Sequence, residues 1–128
     1  MNTYRLIHVP SGREAAVVSR ADKWWAKGWG VLGKHALPAG QGMWLPGVAS
    51  VHTIFVRFPL DLLFLDAEFR AVRVAPCTPP GRWLVRAAGG CHTLELGVGS
   101  LASDLGIGDG WRLEPIAPPG VLRIEEGS

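Results

Sequence analysis

The residues with the most chemical potential gather in one stretch, Ser50-Val-His-Thr-Ile-Phe-Val-Arg-Phe-Pro-Leu-Asp-Leu-Leu-Phe-Leu-Asp66. Successive side chains of an extended strand point to opposite faces, so His52 joins Ile54, Val56 and Phe58, whereas Thr53 joins Arg57. An imidazole on an apolar face suits a general base whose basicity is lowered by burial. The plainer and favoured reading is a core histidine with its hydrogen bonds satisfied. Asp61 has apolar neighbours on both sides, where a carboxylate is costly unless it is paired or hydrogen-bonded. Arg57 is one available partner. The favoured expectation is an Asp61 carboxylate that accepts backbone N–H groups at a bulge; the alternative is a ligand anchor or an acid–base group. His52, Arg57 and Asp61 form the candidate catalytic set.

Glu95 alternates with Leu94 and Leu96, which predicts a solvated face. With Thr53 it stays a candidate ligand contact. Asp109 precedes Gly110 and is expected simply to turn the chain. No metal site emerges, since His8, His35, His52 and His92 are isolated and Cys91 and His92 would point to opposite strand faces. There is no Gly-x-Ser-x-Gly elbow, no phosphate-cradling loop and no dinucleotide fingerprint, so no cofactor is expected.

Six tryptophans supply a different kind of chemistry. On a short helix Trp25 and Trp29 share a face, while Trp24 lies about 100° from Trp25. Burying one adjacent indole turns the other towards the rim, and Trp24 is expected to be the more exposed. Beside Lys23, Lys27 and Lys34 it is a candidate platform for a sugar ring, a base or a partner protein. The competing reading is a small helix that plugs one end of the domain with both rings half buried.

The elements that must position these groups are short. The 128 residues suit one domain, 1–128. Glycine and proline number 17 and 10, well above a usual combined share of about 12%, and they punctuate the whole chain. Strands are expected over Tyr4 to Val9, Ala15 to Ser19, Met43 to Leu45, both halves of Ser50 to Asp66, Arg70 to Ala75, Arg82 to Ala87, His92 to Leu96, Trp111 to Ile116 and Val121 to Ile124. Ser19 to Asp22 resembles a helix entry leading to about Lys27, and Val98 to Leu105 is expected to form a short helical turn. Leu60 to Leu65, apolar on both faces, predicts a doubly buried central strand, and Pro59 marks a break before it. The fold expected is mainly β: an antiparallel sandwich or jelly-roll-like barrel with one or two short helices.

Three stretches together resemble a widespread bacterial and archaeal family, the domain-of-unknown-function family one-nine-two. They are Ala21-Asp-Lys-Trp-Trp-Ala-Lys-Gly-Trp-Gly-Val-Leu-Gly-Lys34; Gly42-Met-Trp-Leu with Val51-His-Thr-Ile-Phe-Val-Arg-Phe-Pro-Leu-Asp61 and Leu62-Leu-Phe-Leu-Asp66; and Leu94-Glu-Leu-Gly-Val-Gly99 with Gly106-Ile-Gly-Asp-Gly110. They span about Val17 to Leu113. Val56 stands where the family has methionine, Val31-Leu32 where Leu-Met is usual, and Gly47 where a cysteine follows the proline. No role of those missing groups transfers. The resemblance implies a β-sandwich of jelly-roll type and no particular activity, because a fold does not dictate a function.

Net charge of +2 excludes a strongly electrostatic nucleic-acid binder. Interrupted apolar runs argue against a membrane span, and the N-terminal stretch lacks a signal-peptide core, so a cytoplasmic protein with free Cys77 and Cys91 is expected. Two functions compete. One is a non-catalytic accessory module that binds a small ligand or a protein, as a monomer or weak dimer. The other is a small hydrolase- or isomerase-like enzyme that uses His52 with Asp61 or Arg57. Convergence of His52, Arg57, Asp61 and Glu95 on one concave surface would favour the enzyme.

Overall fold

The computed structural model describes residues 3–20, 37–48, 50–51, 58–80, 85–102 and 105–116. Nine strands run through them: β1 (Thr3–His8), β2 (Arg13–Arg20), β3 (Gln41–Pro46), β4 (Ser50–Val51), β5 (Leu60–Leu65), β6 (Ala71–Thr78), β7 (Val85–Arg86), β8 (His92–Gly97) and β9 (Trp111–Pro115). Seven form one sheet in the order β6-β5-β8-β3-β2-β1-β9, and β4 pairs with β7 apart from it. The sheet curls until its two edges meet at one end, where Arg70 bridges Gly110. There Ala71 N–H donates to Asp109 C=O at 2.9 Å and Trp111 N–H to Phe69 C=O at 2.8 Å. The fold is mainly β.

Strand β5 explains why the sheet holds together. All six of its residues are buried. Its odd positions, Leu63 and Leu65, enter the core inside the curl with Leu6, Val18, Trp44, Leu94, Leu96 and Trp111. Leu60, Leu62 and Phe64 enter a second core on the outer face, with Val85 of the small sheet. Each such side chain contributes roughly 1.5–3 kcal/mol when fully buried, which makes this strand the main apolar anchor of both layers.

Most pairings are antiparallel, but β2 and β3 run parallel. A parallel pair needs a crossover of a dozen or more residues, and residues 21–40 between them meet that requirement. The two expected helices fare differently from the strands. Ser19 and Arg20 continue the ladder, opposite Met43 and Trp44, instead of capping a helix; the segment after them lies outside the described residues, as does Val121 to Ile124. Among the described residues of Val98 to Leu105 there is no helix. The reason is competition for donors: the N–H groups of Gly99 and Leu101 go to the Asp61 carboxylate, and Ser100 bonds back to Gly97 C=O.

Gly97 ends β8 under the chain at Leu37 and Pro38. A Cβ built there would sit 2.1 Å from Pro38 C=O oxygen and 2.4 Å from that of Leu37. Backbone cannot swing aside as a side chain does. Gly97→Ala is therefore expected to cost about 1–3 kcal/mol, read as a lower urea midpoint.

Candidate functional site

Asp61 is the best-defined of the sequence candidates. Strand β5 places it opposite Leu96, on the inner face, with 1% of its surface exposed. Its carboxylate accepts three backbone N–H groups: Cys77 on Oδ1 at 2.8 Å, Gly99 and Leu101 on Oδ2 at 3.2 and 3.0 Å. The β5–β6 register slips between Leu60 and Leu62, so Pro76 and Cys77 bulge opposite Asp61. Cys77 takes a φ of 49°, a left-handed conformation that costs a non-glycine residue of order 1–3 kcal/mol unless held. The Asp61 bond holds it. This is the arrangement expected of a structural carboxylate at a bulge, and both oxygens are engaged by backbone.

The bulge borders a cleft of about 340 Å³ lined by Arg73, Ala75, Pro76, Cys77, Thr78, Pro79 and Val85. Arg73 and Ala75 belong to the outer face, opposite Phe64 and Leu62. Cys77 is an exposed free thiol, and Cys91 is free as well. Thr78 Oγ1 donates to Ala75 C=O at 2.9 Å, which ties it to the bulge. Sequence reasoning passed over this segment. The signal available was Pro76-Cys-Thr-Pro-Pro80, a stiff run that cannot extend a regular ladder.

Glu95 is not solvated. Strand β8 puts it on the outer face between Met43 and Leu62, and only 6% of it is exposed. Burial alone pushes its carboxyl up to about 7. The alternation with Leu94 and Leu96 is as expected, but the face opposite those leucines is itself covered by the second core. A period-2 pattern assigns a side and says nothing about what covers it. Glu95 and Asp61 therefore lie on opposite faces of the sheet and do not converge.

At the end of the curl where β1 begins, Trp44 gathers aromatic and basic groups. Tyr4 meets it edge-on at 5.1 Å, Phe69 at 6.3 Å, and the Arg20 guanidinium lies 5.0 Å over its ring. The indole N–H donates to His92 Nδ1 at 3.3 Å. Burial, and then the charge of Arg20, hold the His92 imidazole below its ordinary value. Trp44 itself is buried, so this cluster is packing first.

His52, Thr53, Arg57 and Trp24 lie outside the described residues. Among the described residues no cluster of three histidines, cysteines or acids could hold a metal ion, and no helix is long and apolar enough to cross a membrane.

Two solved structures share this architecture. One, from Sinorhizobium meliloti 1021, is described as a candidate transcription regulator; it is 23% identical with a TM-score of 0.71, over 89% of this chain and 92% of that one. The other, a protein of unknown function from Novosphingobium aromaticivorans DSM 12444, is 27% identical with a TM-score of 0.62, over 89% of this chain and 84% of that one. The first shows the fold alone. A search of the curated proteins finds no match. A family model described as DUF192, Uncharacterized ACR, matches residues 7–115, which is most of the chain and includes Asp61, Glu95 and the cleft. The chain belongs to the DUF192 family.

Proposed function

We propose that the domain is a binding module whose cleft beside β6 receives a small anionic molecule without transforming it. The carrying observation is the cleft itself: about 340 Å³, within the size range of small-ligand sites, with Arg73 the one charged residue among its described lining residues. A guanidinium presents five N–H donors in a fixed fork and serves more than one acceptor, so a carboxylate or phosphate group is the complementary chemistry. Asp61 contributes by fixing the bulge and takes no part in contact.

The competing enzyme, built on His52 with Asp61 or Arg57, loses most from the same geometry, because Asp61 has both oxygens turned to backbone donors. Nucleic acid is a poorer partner still. A net charge of +2 releases few counterions, and the description of one structural neighbour as a transcription regulator does not change that balance.

Thermal unfolding in the presence of inorganic phosphate, citrate, malonate and, as a neutral control, glucose tests the reading. At least one anion is expected to raise the wild-type Tm by several degrees at saturation, since a ligand at ~100 times Kd adds about 2.7 kcal/mol. Arg73→Ala should abolish most of that rise while leaving the unliganded Tm within a few degrees. A rise that survives Arg73→Ala unchanged, or a response to glucose alone, removes the proposal.

A further inference from the structure

Near the meeting of the sheet edges, His8 and Ser11 come together with Asp109, which lies 101 residues from His8 in the sequence. His8 closes β1 and is buried against Trp111, ring centroids 4.9 Å apart. Its Nε2 lies 2.8 Å from Asp109 Oδ2, and its Nδ1 lies 2.8 Å from Ser11 Oγ in the turn that follows. A carboxylate only accepts, so Nε2 carries the ring proton and donates it to Asp109. The neutral ring then has its lone pair on Nδ1. The Ser11 hydroxyl accordingly donates to Nδ1; its other acceptor, His8 C=O, is 3.5 Å away and weak. Arg13 N–H donates to the same hydroxyl oxygen at 3.2 Å, which stabilises negative charge there.

The supporting shell is built as well. Gly106 N–H donates to Asp109 Oδ2 at 2.9 Å. The His8 bond first, and then Gly106, hold the Asp109 carboxyl below the ordinary carboxylate range, so it is ionised and ready to orient the imidazole. Asp109 also sits where the sheet edges meet, its C=O accepting from Ala71 N–H. Nucleophile, base and orienting acid therefore stand in hydrogen-bonded sequence, the arrangement by which an adjacent base activates a serine. The ring nitrogens are used in the reverse order from that of the serine proteases.

We propose that Ser11, His8 and Asp109 form a nucleophilic site that accepts acyl groups from small activated esters. Ser11 Oγ bonds to the acyl carbon while its proton passes to His8 Nδ1. The ester C–O bond then breaks, and the departing alkoxide takes that proton to leave as the alcohol. Water repeats the route, releasing the carboxylic acid and restoring the serine. Ser11 lies at an exposed turn, so a compact acyl group reaches it and a large shaped substrate is not required. This site is distinct from the cleft and stands whether or not the cleft binds an anion.

Incubation with p-nitrophenyl acetate, followed by intact mass and peptide mapping, tests it. The expected result is one acetyl group on Ser11, formed with a burst of p-nitrophenol. Ser11→Ala, with its fold checked by circular dichroism, removes the adduct and the burst. Asp109→Asn, with its fold checked by circular dichroism, should slow the burst at least ~10-fold by releasing the imidazole from its tautomer. Acetylation confined to Cys77, Cys91 or lysines overturns the proposal. So does a Ser11 adduct that forms equally fast in folded Asp109→Asn.

Discussion

Asp61→Ala is expected to cost about 3–5 kcal/mol, the largest loss of any single polar change among the described residues. Three N–H groups, that of the buried Leu101 and those of Cys77 and Gly99 nearer the surface, lose their acceptor at once. Each stranded buried donor carries a penalty of ~1–3 kcal/mol, reduced where the backbone relaxes towards water. Two regions would loosen together, the β6 bulge and the turn after β8. Asp61→Asn keeps the volume and one acceptor oxygen, so it should recover part of the loss. Urea unfolding of both variants beside Glu95→Ala checks this. The Asp61→Ala midpoint should fall furthest, and equal midpoints for Asp61→Ala and Glu95→Ala would remove the premise.

Glu95 is expected to make the protein less stable as pH rises, the reverse of the usual carboxylate. Its carboxyl is raised from an ordinary 4.5 to about 7 in the folded state. Below pH 4.5 both folded and unfolded chains hold the proton, and Glu95 exerts no pH-dependent effect. Between 4.5 and 7 the unfolded chain releases it first, so the native state binds more protons and stability declines. Above 7 both have released it and the loss levels off at about 3 kcal/mol. His92, whose imidazole is held below its ordinary 6.5, works in the opposite direction as pH rises towards that value, so the signal is the difference between wild type and Glu95→Gln. That difference should grow in favour of the variant from pH 4.5 to 7 and then stay constant. A pH-independent difference would show that the carboxyl is not desolvated.

Strand positions were legible because their causes are local. Leu60 to Leu65 announces burial on two faces by being apolar on both, and the bulge at Asp61 follows from a carboxylate that needs donors there. The Gly-rich and Pro-rich turns mark where the strands stop. What escaped depends on pieces of chain distant in sequence. Glu95 has an outward position by alternation, yet the outer face is roofed by the second core around Leu62, Phe64 and Val85. The expected helical turn after Val98 was outbid by Asp61, 38 residues away from Gly99. His8 and Asp109 are separated by 101 residues, and nothing in either neighbourhood signals the other. The parallel pairing of β2 and β3 is likewise a property of the assembled sheet. An antiparallel architecture is the default expectation for strands punctuated by turns, and only the long β2–β3 crossover hints otherwise.

That parallel pairing bears on the order in which the molecule acquires its structure. Strands β1 and β2 form a hairpin, as do β5 and β6, and each pair requires only a short loop to close. β3 is the joint of the ladder: it pairs with β2 on one side and β8 on the other, whereas the outer edges of the β1–β2–β9 and β5–β6–β8 halves meet only around the Arg70–Gly110 bridge. Both of its ladders close over long stretches of chain, so their loop entropy must be spent before any hydrogen bond repays it. The two hairpins can thus nucleate independently and must wait for β3 to dock. Until it does, each half shows an open edge at β2 and at β8, the kind of unpaired strand through which nascent chains associate wrongly. Folding speed and aggregation during synthesis are therefore governed less by the apolar strand β5 than by how promptly Gln41–Pro46 finds its slot.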